Sequence, residues 1–170
     1  MLTEIFCEAF GDTKSIPFTS GLNVVQGISG NSIGKSSFLK IVDYSFGGKY
    51  YAETNEDILK YVGNHDICFC HTFNKVPYYF KRSASSRQKV VCCTGAQYIP
   101  DKEISTDDFC KWLLTKYYLE DLESSFRQIV GLYTRVWNKP NKEVNRPLFN
   151  HNSQSVSDSI TSLIKLFKRY

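Results

Sequence analysis

The chain of 170 residues contains no apolar run approaching the ~20 residues that a membrane-spanning helix needs. Its N-terminus has no basic leader; Glu4, Glu8 and Asp12 stand there instead, which excludes a secretory signal as read from sequence. No internal repeat or low-complexity tract is present, so solenoids and linkers are excluded as the main architecture. The guanine-reading Asn-Lys-x-Asp pattern is missing as well. Asn74-Lys75-Val76-Pro77 and Asn138-Lys139-Pro140-Asn141 both lack the Asp. A tight-knuckle zinc pair is absent too. Cys68 and Cys70 fall inside a strand-like run and Cys92 adjoins Cys93, although His65 and His71 lie nearby. The expectation is six reduced, metal-free thiols that act as small buried hydrophobes.

What remains is an ordinary globular composition, 42% hydrophobic and 22% charged, in a length that suits one domain. Aromatic residues reach 15%, enough for a large core or a partner surface. The net charge of +4 permits a nucleic-acid partner without arguing for one. A reducing, cytoplasmic setting is expected.

Gly34-Lys35-Ser36-Ser37, at the start of a helical pattern and after the apolar run Leu22 to Val25, is the core of a phosphate-binding loop. Backbone N–H groups in such a turn, with a helix N-terminus behind them, form a concave cluster of donors for phosphate oxygens. The expected nucleotide contacts are Ser29, Gly30, Asn31, Ser32, Ile33, Gly34, Lys35, Ser36 and Ser37. Lys35 would reach the β- and γ-phosphates as a point charge, and the Ser36 hydroxyl would ligate Mg²⁺. Gly34 permits positive φ and close backbone approach. Ser29 stands where the strict motif has glycine, with Gly27 and Gly30 on either side.

The order of elements follows from periodicity. Residues 2–7 and 22–26 read as strands, and Lys35 to Phe46 as a helix with Phe38, Leu39, Ile41 and Val42 on its apolar positions, ended by Gly47-Gly48. Thr54 and Asp57 suggest a capping box for a short helix that stops at Gly63. Residues 66–73, 76–81 and 89–93 then read as three strands of an antiparallel meander, with Asn74-Lys75 as the first turn. Ser105 and Asp108 cap a helix carrying Phe109, Trp112, Leu113 and Tyr117. A further helix is expected over residues 124–137, broken near Gly131. A loop follows over 138–156, and then a terminal helix from Ser157 with Ile160, Leu163, Ile164 and Phe167 on one face. The expected layout is one domain. It comprises 1–48 (strand, phosphate loop, helix), 49–104 (β-meander), 105–137 (helical part), 138–156 (loop) and 157–170 (terminal helix).

Gly21-Leu22-Asn23-Val24-Val25-Gln26-Gly27, followed by Gly34-Lys35-Ser36-Ser37-Phe38-Leu39 and Ile41-Val42-Asp43, resembles the opening of ABC-type ATPase heads of the SMC, RecF and RecN group. The nearest likeness is to bacterial SMC-like proteins with a split head and a coiled-coil middle, several tied to DNA repair or phage defence. The resemblance is specific over residues 20–48 and topological over 60–135. It implies an α/β (α+β) fold, the P-loop NTPase N-terminal lobe with an antiparallel β-layer followed by helices. It implies ATP and Mg²⁺ as cofactors, and as partners a C-terminal half-head, a second head and DNA. In that family a later glutamine helps hold the metal; Gln128 matches best, Gln26 and Gln154 less well. The terminal helix would lead into a coiled coil.

The signature Ser-Gly-Gly segment and an apolar strand ending in Asp-Glu are both missing, and Leu119-Glu120-Asp121, the nearest acidic pair, sits in a helical pattern. Without those carboxylates the attacking water is not positioned. The expectation is therefore nucleotide binding with little turnover by this chain. A small stand-alone NTPase or phosphotransferase, and a non-enzymatic interaction module with a vestigial loop, are the alternatives.

Overall fold

A computed structural model of the chain describes residues 1–12, 14–26, 34–49, 51, 56–134 and 155–167. Its frame is one six-stranded antiparallel sheet with helices packed against it. The strands are β1 (Leu2–Phe6), β2 (Ser15–Pro17), β3 (Asp66–Phe73), β4 (Val76–Ser83), β5 (Lys89–Thr94) and β6 (Ile99–Ser105), in the spatial order β2-β1-β3-β4-β5-β6. The helices are α1 (Lys35–Ser45), α2 (Glu56–Tyr61), α3 (Thr106–Lys116), α4 (Phe126–Tyr133) and α5 (Val156–Leu166). Among the described residues every strand pairing is antiparallel, and no helix is long and apolar enough to cross a membrane.

Strand alternation decides which residues meet the helices. Ile67, Phe69 and His71 of β3 share one parity, and the register Phe69↔Phe80 and Ile67↔Arg82 carries it onto β4. These side chains are buried with Ile41 and Tyr44 of α1 and Phe109 and Leu113 of α3. The rings of Phe80 and Phe109 meet edge to face with centroids 4.9 Å apart. Each such fully buried large side chain contributes about 1.5–3 kcal/mol of transfer free energy. On the opposite face the β5–β6 turn folds back, so that Tyr98 lies against Phe6 and Tyr79 and donates a 2.9 Å hydrogen bond to the Glu4 carboxylate. That turn explains why Cys68 and Cys70 are buried although they point away from the helices.

The meander has one strand more than the sequence suggests, β6, and a short edge strand, β2, that the sequence does not announce. The expected strand over residues 22–26 does not form. Leu22 is 89% and Val24 74% exposed, and the backbone there is irregular. Asn23 accounts for this locally. Its amide accepts from Thr19 N–H at 3.0 Å and donates to the Thr19 carbonyl at 2.9 Å and the Gly21 carbonyl at 3.2 Å, closing a turn in place of a ladder.

Gly131 does not break its helix. It lies buried inside α4, which closes after Tyr133. The terminal helix starts earlier than Ser157, because Ser155 is its N-cap and accepts from Asp158 N–H at 3.0 Å. This helix packs on α4 by its serine side. Ser159 and Ser162 are buried, while Ile160 (40%), Ile164 (39%) and Phe167 (62%) of the apolar stripe face out. Thr54, residues 135–154 with Gln154, and Lys168 to Tyr170 lie outside the described residues.

Candidate functional site

α1 begins on Gly34, whose backbone is left-handed (φ +80°), and the Gly34 carbonyl accepts the first helical hydrogen bond from Phe38 N–H at 2.8 Å. Only glycine adopts that conformation without strain. The helices α3, α4 and α5 are each capped by a serine hydroxyl, from Ser105, Ser125 and Ser155. α1 has no side-chain cap and no acidic residue in its first turn. Among the described residues no side chain accepts from its leading N–H groups, which carry the positive end of the helix dipole. Lys35 is exposed at this opening, Ser36 and Ser37 are half-buried, and among the described residues no carboxylate pairs with Lys35. The structure thus brings Gly34, Lys35, Ser36 and Ser37 together at one helix end. Ser29, Gly30, Asn31, Ser32 and Ile33 lie outside the described residues.

The opening continues into a cleft of about 630 Å³, in the range of small-ligand sites. Its lining includes Gly34, Lys35 and Ser37 from α1, Phe10, Val62, and a hydrogen-bonded pair, Tyr51 and His65. His65 Nδ1 lies 2.8 Å from the Gly63 carbonyl, which can only accept, so the neutral ring carries its proton there. Nε2 then accepts from the Tyr51 hydroxyl, also at 2.8 Å. Burial raises the Tyr51 pKa, which keeps the phenol protonated as the donor.

Gln128 is not part of this opening. It sits at N3 of α4, where its Oε1 accepts from Ser125 N–H at 2.7 Å and completes a capping box. It lines a different cleft with Gly47 and Lys49, beyond the C-terminal end of α1. Ser36 and residue 45 are separated by about 14 Å of helix at 1.5 Å per residue. The pairing of Ser36 with Gln128 around one metal is therefore not what this arrangement provides.

The C-terminal end of α1 is the opposite of its N-terminal end, because every group there is engaged. Gly47 N–H bonds to the Tyr44 carbonyl (3.1 Å) and Gly48 N–H to the Asp43 carbonyl (2.9 Å), the paired bonds of a Schellman stop. Gly47 has φ +82°, and a Cβ on Gly48 would run into the Asp43 carboxylate. Arg82, fully buried, donates to the carbonyls of Tyr44 (2.5 Å), Gly48 (3.0 Å) and Arg87 (2.9 Å) and lies 3.6 Å from the centre of the Tyr44 ring. Arg127 of α4 bridges to buried Asp43 at 2.6 Å and to the Phe46 carbonyl at 3.0 Å. Sequence reasoning did not single out Arg82 or Arg127; the shared strand parity of Phe80 and Arg82 was the available signal for the first.

All six cysteines are free thiols, with Cys7, Cys68 and Cys70 buried and the others partly so. Burial pushes the Cys68 thiol up to about 12. Compared with known proteins, the chain matches no family model, and no curated protein or solved structure is significantly similar to it.

Proposed function

We propose that this chain binds a nucleoside triphosphate with Mg²⁺ at the N-terminus of α1, as the N-terminal lobe of an ATPase head of the SMC/RecF/RecN kind. The observation that carries the reading is the opening of α1: a left-handed glycine, then Lys35-Ser36-Ser37 in an uncapped turn free of acid. Lys35 would meet the terminal phosphates, the first-turn N–H groups their oxygens, and the Ser36 hydroxyl the metal. The antiparallel layer that follows α1 supports a head of this class over small kinases, whose strands after the loop run parallel. The exposed apolar run Leu22, Val24 and Val25 supports a head completed by further strands from another segment or chain. A second head as partner, and a role on DNA in repair or phage defence, belong to the same reading through the sequence resemblance.

The test is calorimetry with ATP and Mg²⁺. Lys35→Ala removes a charge-assisted contact worth about 1.5–3 kcal/mol, so affinity should fall by at least about tenfold. Equal affinity for both proteins would refute the assignment. Turnover should be minimal, because the described lining of the cleft contains no carboxylate to position metal and water. Sustained hydrolysis abolished by Lys35→Ala would favour a stand-alone NTPase or phosphotransferase instead. No binding at all would leave an interaction module.

A further inference from the structure

The cleft at Lys35 runs well beyond the reach of one ammonium group. α1 supplies one wall, since Gly34, Phe38 and Ile41 recur on one helical face and all line the cleft. From Gly34 to Ile41 is about 10 Å at 1.5 Å per residue. Tyr44 follows almost a turn later, and its ring centre is 5.5 Å from that of Tyr51, so Tyr51 marks the end remote from Gly34. Phe10 and Val62, from outside α1, line the same cleft. The cleft is therefore cationic at one end and apolar along its length, with no carboxylate among its described lining residues. That profile suits an anion attached to a flat, weakly polar body.

We propose that the cleft holds the nucleoside part of the nucleotide, with the base against Phe10 and Val62, and that it does not select adenine over guanine. This rests on the nucleotide reading above. Two side chains at the remote end have the chemistry to read a base edge, and each is committed elsewhere. The Tyr51 hydroxyl donates to His65 Nε2, and His65 Nδ1–H donates to the Gly63 carbonyl. Gln26 also lines the cleft but is exposed, and a mobile amide can turn either its oxygen or its NH₂ toward a base. Among the described lining residues no carboxylate is present to accept the paired N–H groups of guanine. Strong discrimination needs buried polar groups that the wrong ligand leaves unpaired, and the described lining residues include none that depend on the ligand. Contact with aromatic and apolar walls accepts any purine, because every base has a π-face.

The experiment compares ATP, GTP and inorganic tripolyphosphate by calorimetry on the full chain with Mg²⁺. ATP and GTP should agree within about tenfold, and tripolyphosphate should bind at least about fivefold more weakly, as loss of one base contact implies. Val62→Gln should weaken both nucleotides and leave tripolyphosphate unchanged. Val62 is 50% exposed, so this variant should keep the fold even if Phe10→Ala does not. ATP binding no tighter than tripolyphosphate, with both lost in Lys35→Ala, would overturn the nucleoside subsite while leaving the phosphate site standing. A preference between ATP and GTP beyond about tenfold would overturn the lack of base selection. Failure of all three ligands to bind, or indifference to Lys35→Ala, would overturn the nucleotide reading itself and the subsite with it.

Discussion

His71 predicts a loss of stability in mild acid whose size follows from its surroundings. The imidazole is fully buried on β3, with ring centroids of Phe46, Phe69, Phe73, Phe80 and Phe109 between 5.2 and 6.3 Å away. Nε2 lies 3.0 Å from the Ser45 carbonyl and so donates to it, while Nδ1 is buried with no hydrogen-bond partner. Protonation would place a second N–H, and a charge, against aromatic rings. Burial lowers the pKa from 6.5 to about 4; the Ser45 bond opposes that shift but is the smaller effect. The unfolded chain therefore takes up a proton that the folded chain refuses. Stability from this group is complete above pH 6.5 and falls as pH drops toward about 4. At 1.36 kcal/mol per unit the whole loss is about 3 kcal/mol, of which about 2 kcal/mol has gone by pH 5. Urea denaturation at pH 7 and pH 5, on wild type and His71→Gln, isolates the effect from carboxylates that titrate in both. The drop should be smaller in His71→Gln by about 2 kcal/mol. Equal drops in the two proteins, or an NMR titration showing His71 protonating near 6.5 in the native state, would refute the reasoning.

Arg82→Met should destabilise the fold by about 2–4 kcal/mol, since it leaves the Gly48 carbonyl without its donor and shortens a packed side chain. A urea midpoint unchanged from wild type would show that Arg82 is dispensable for the end of α1. Cys68, with its thiol pushed up to about 12 and its side chain buried, should resist iodoacetamide at pH 8 until the protein is unfolded. Peptide mass spectrometry showing rapid native alkylation at Cys68 would contradict that. The Lys35→Ala affinity loss and the minimal turnover complete the set.

The parts legible in the sequence are those whose signal is local. β3 and β4 alternate cleanly, and Asn74 and Lys75 take the positive φ values (50° and 66°) that a two-residue hairpin turn demands. Ser105 caps α3 as its spacing to Asp108 indicates. β6 was illegible because it is an outer strand: Pro100, Asp101, Lys102 and Glu103 are exposed, so no buried face imposes alternation. β2 has three residues, too few for a period. Residues 22–26 carry strand-like composition, but a strand needs a neighbour, and composition cannot supply one. Gly131 reads as a break because glycine costs about 1 kcal/mol in a helix interior. It is buried, and α4 packs against α5, so tertiary packing overrides that propensity. Periodicity finds the apolar stripe of α5 without saying which side faces in. At the site, Gly34 to Ser37 are legible as a contiguous motif. The Tyr51–His65 pair is not, because it joins residues fourteen apart that meet only through the fold.

The two ends of α1 explain one another. A helix normally leaves its last carbonyls unpaired and its first N–H groups likewise. Here the last carbonyls are taken from outside the helix: Tyr44 by Arg82 and Ser45 by His71, with Phe46 just beyond taken by Arg127. The donors come from β4, β3 and α4, so hydrogen bonds fasten the C-terminal end of α1 to the sheet and to the helical layer, while Phe38 and Ile41 pack its apolar side inward. Two of the donors are arginines, which also complement the negative end of the dipole. Among the described residues no side chain caps the N-terminal end at Gly34. On the nucleotide reading this asymmetry is useful. A helix held at its far end need not be reordered when phosphate arrives, so less binding energy is spent on conformational entropy. The same fastening predicts where nucleotide occupancy is felt. On the nucleotide reading, the connection from α1 to the helical layer runs through the Asp43–Arg127 bridge at 2.6 Å, and from α4 to the α5 that packs on it.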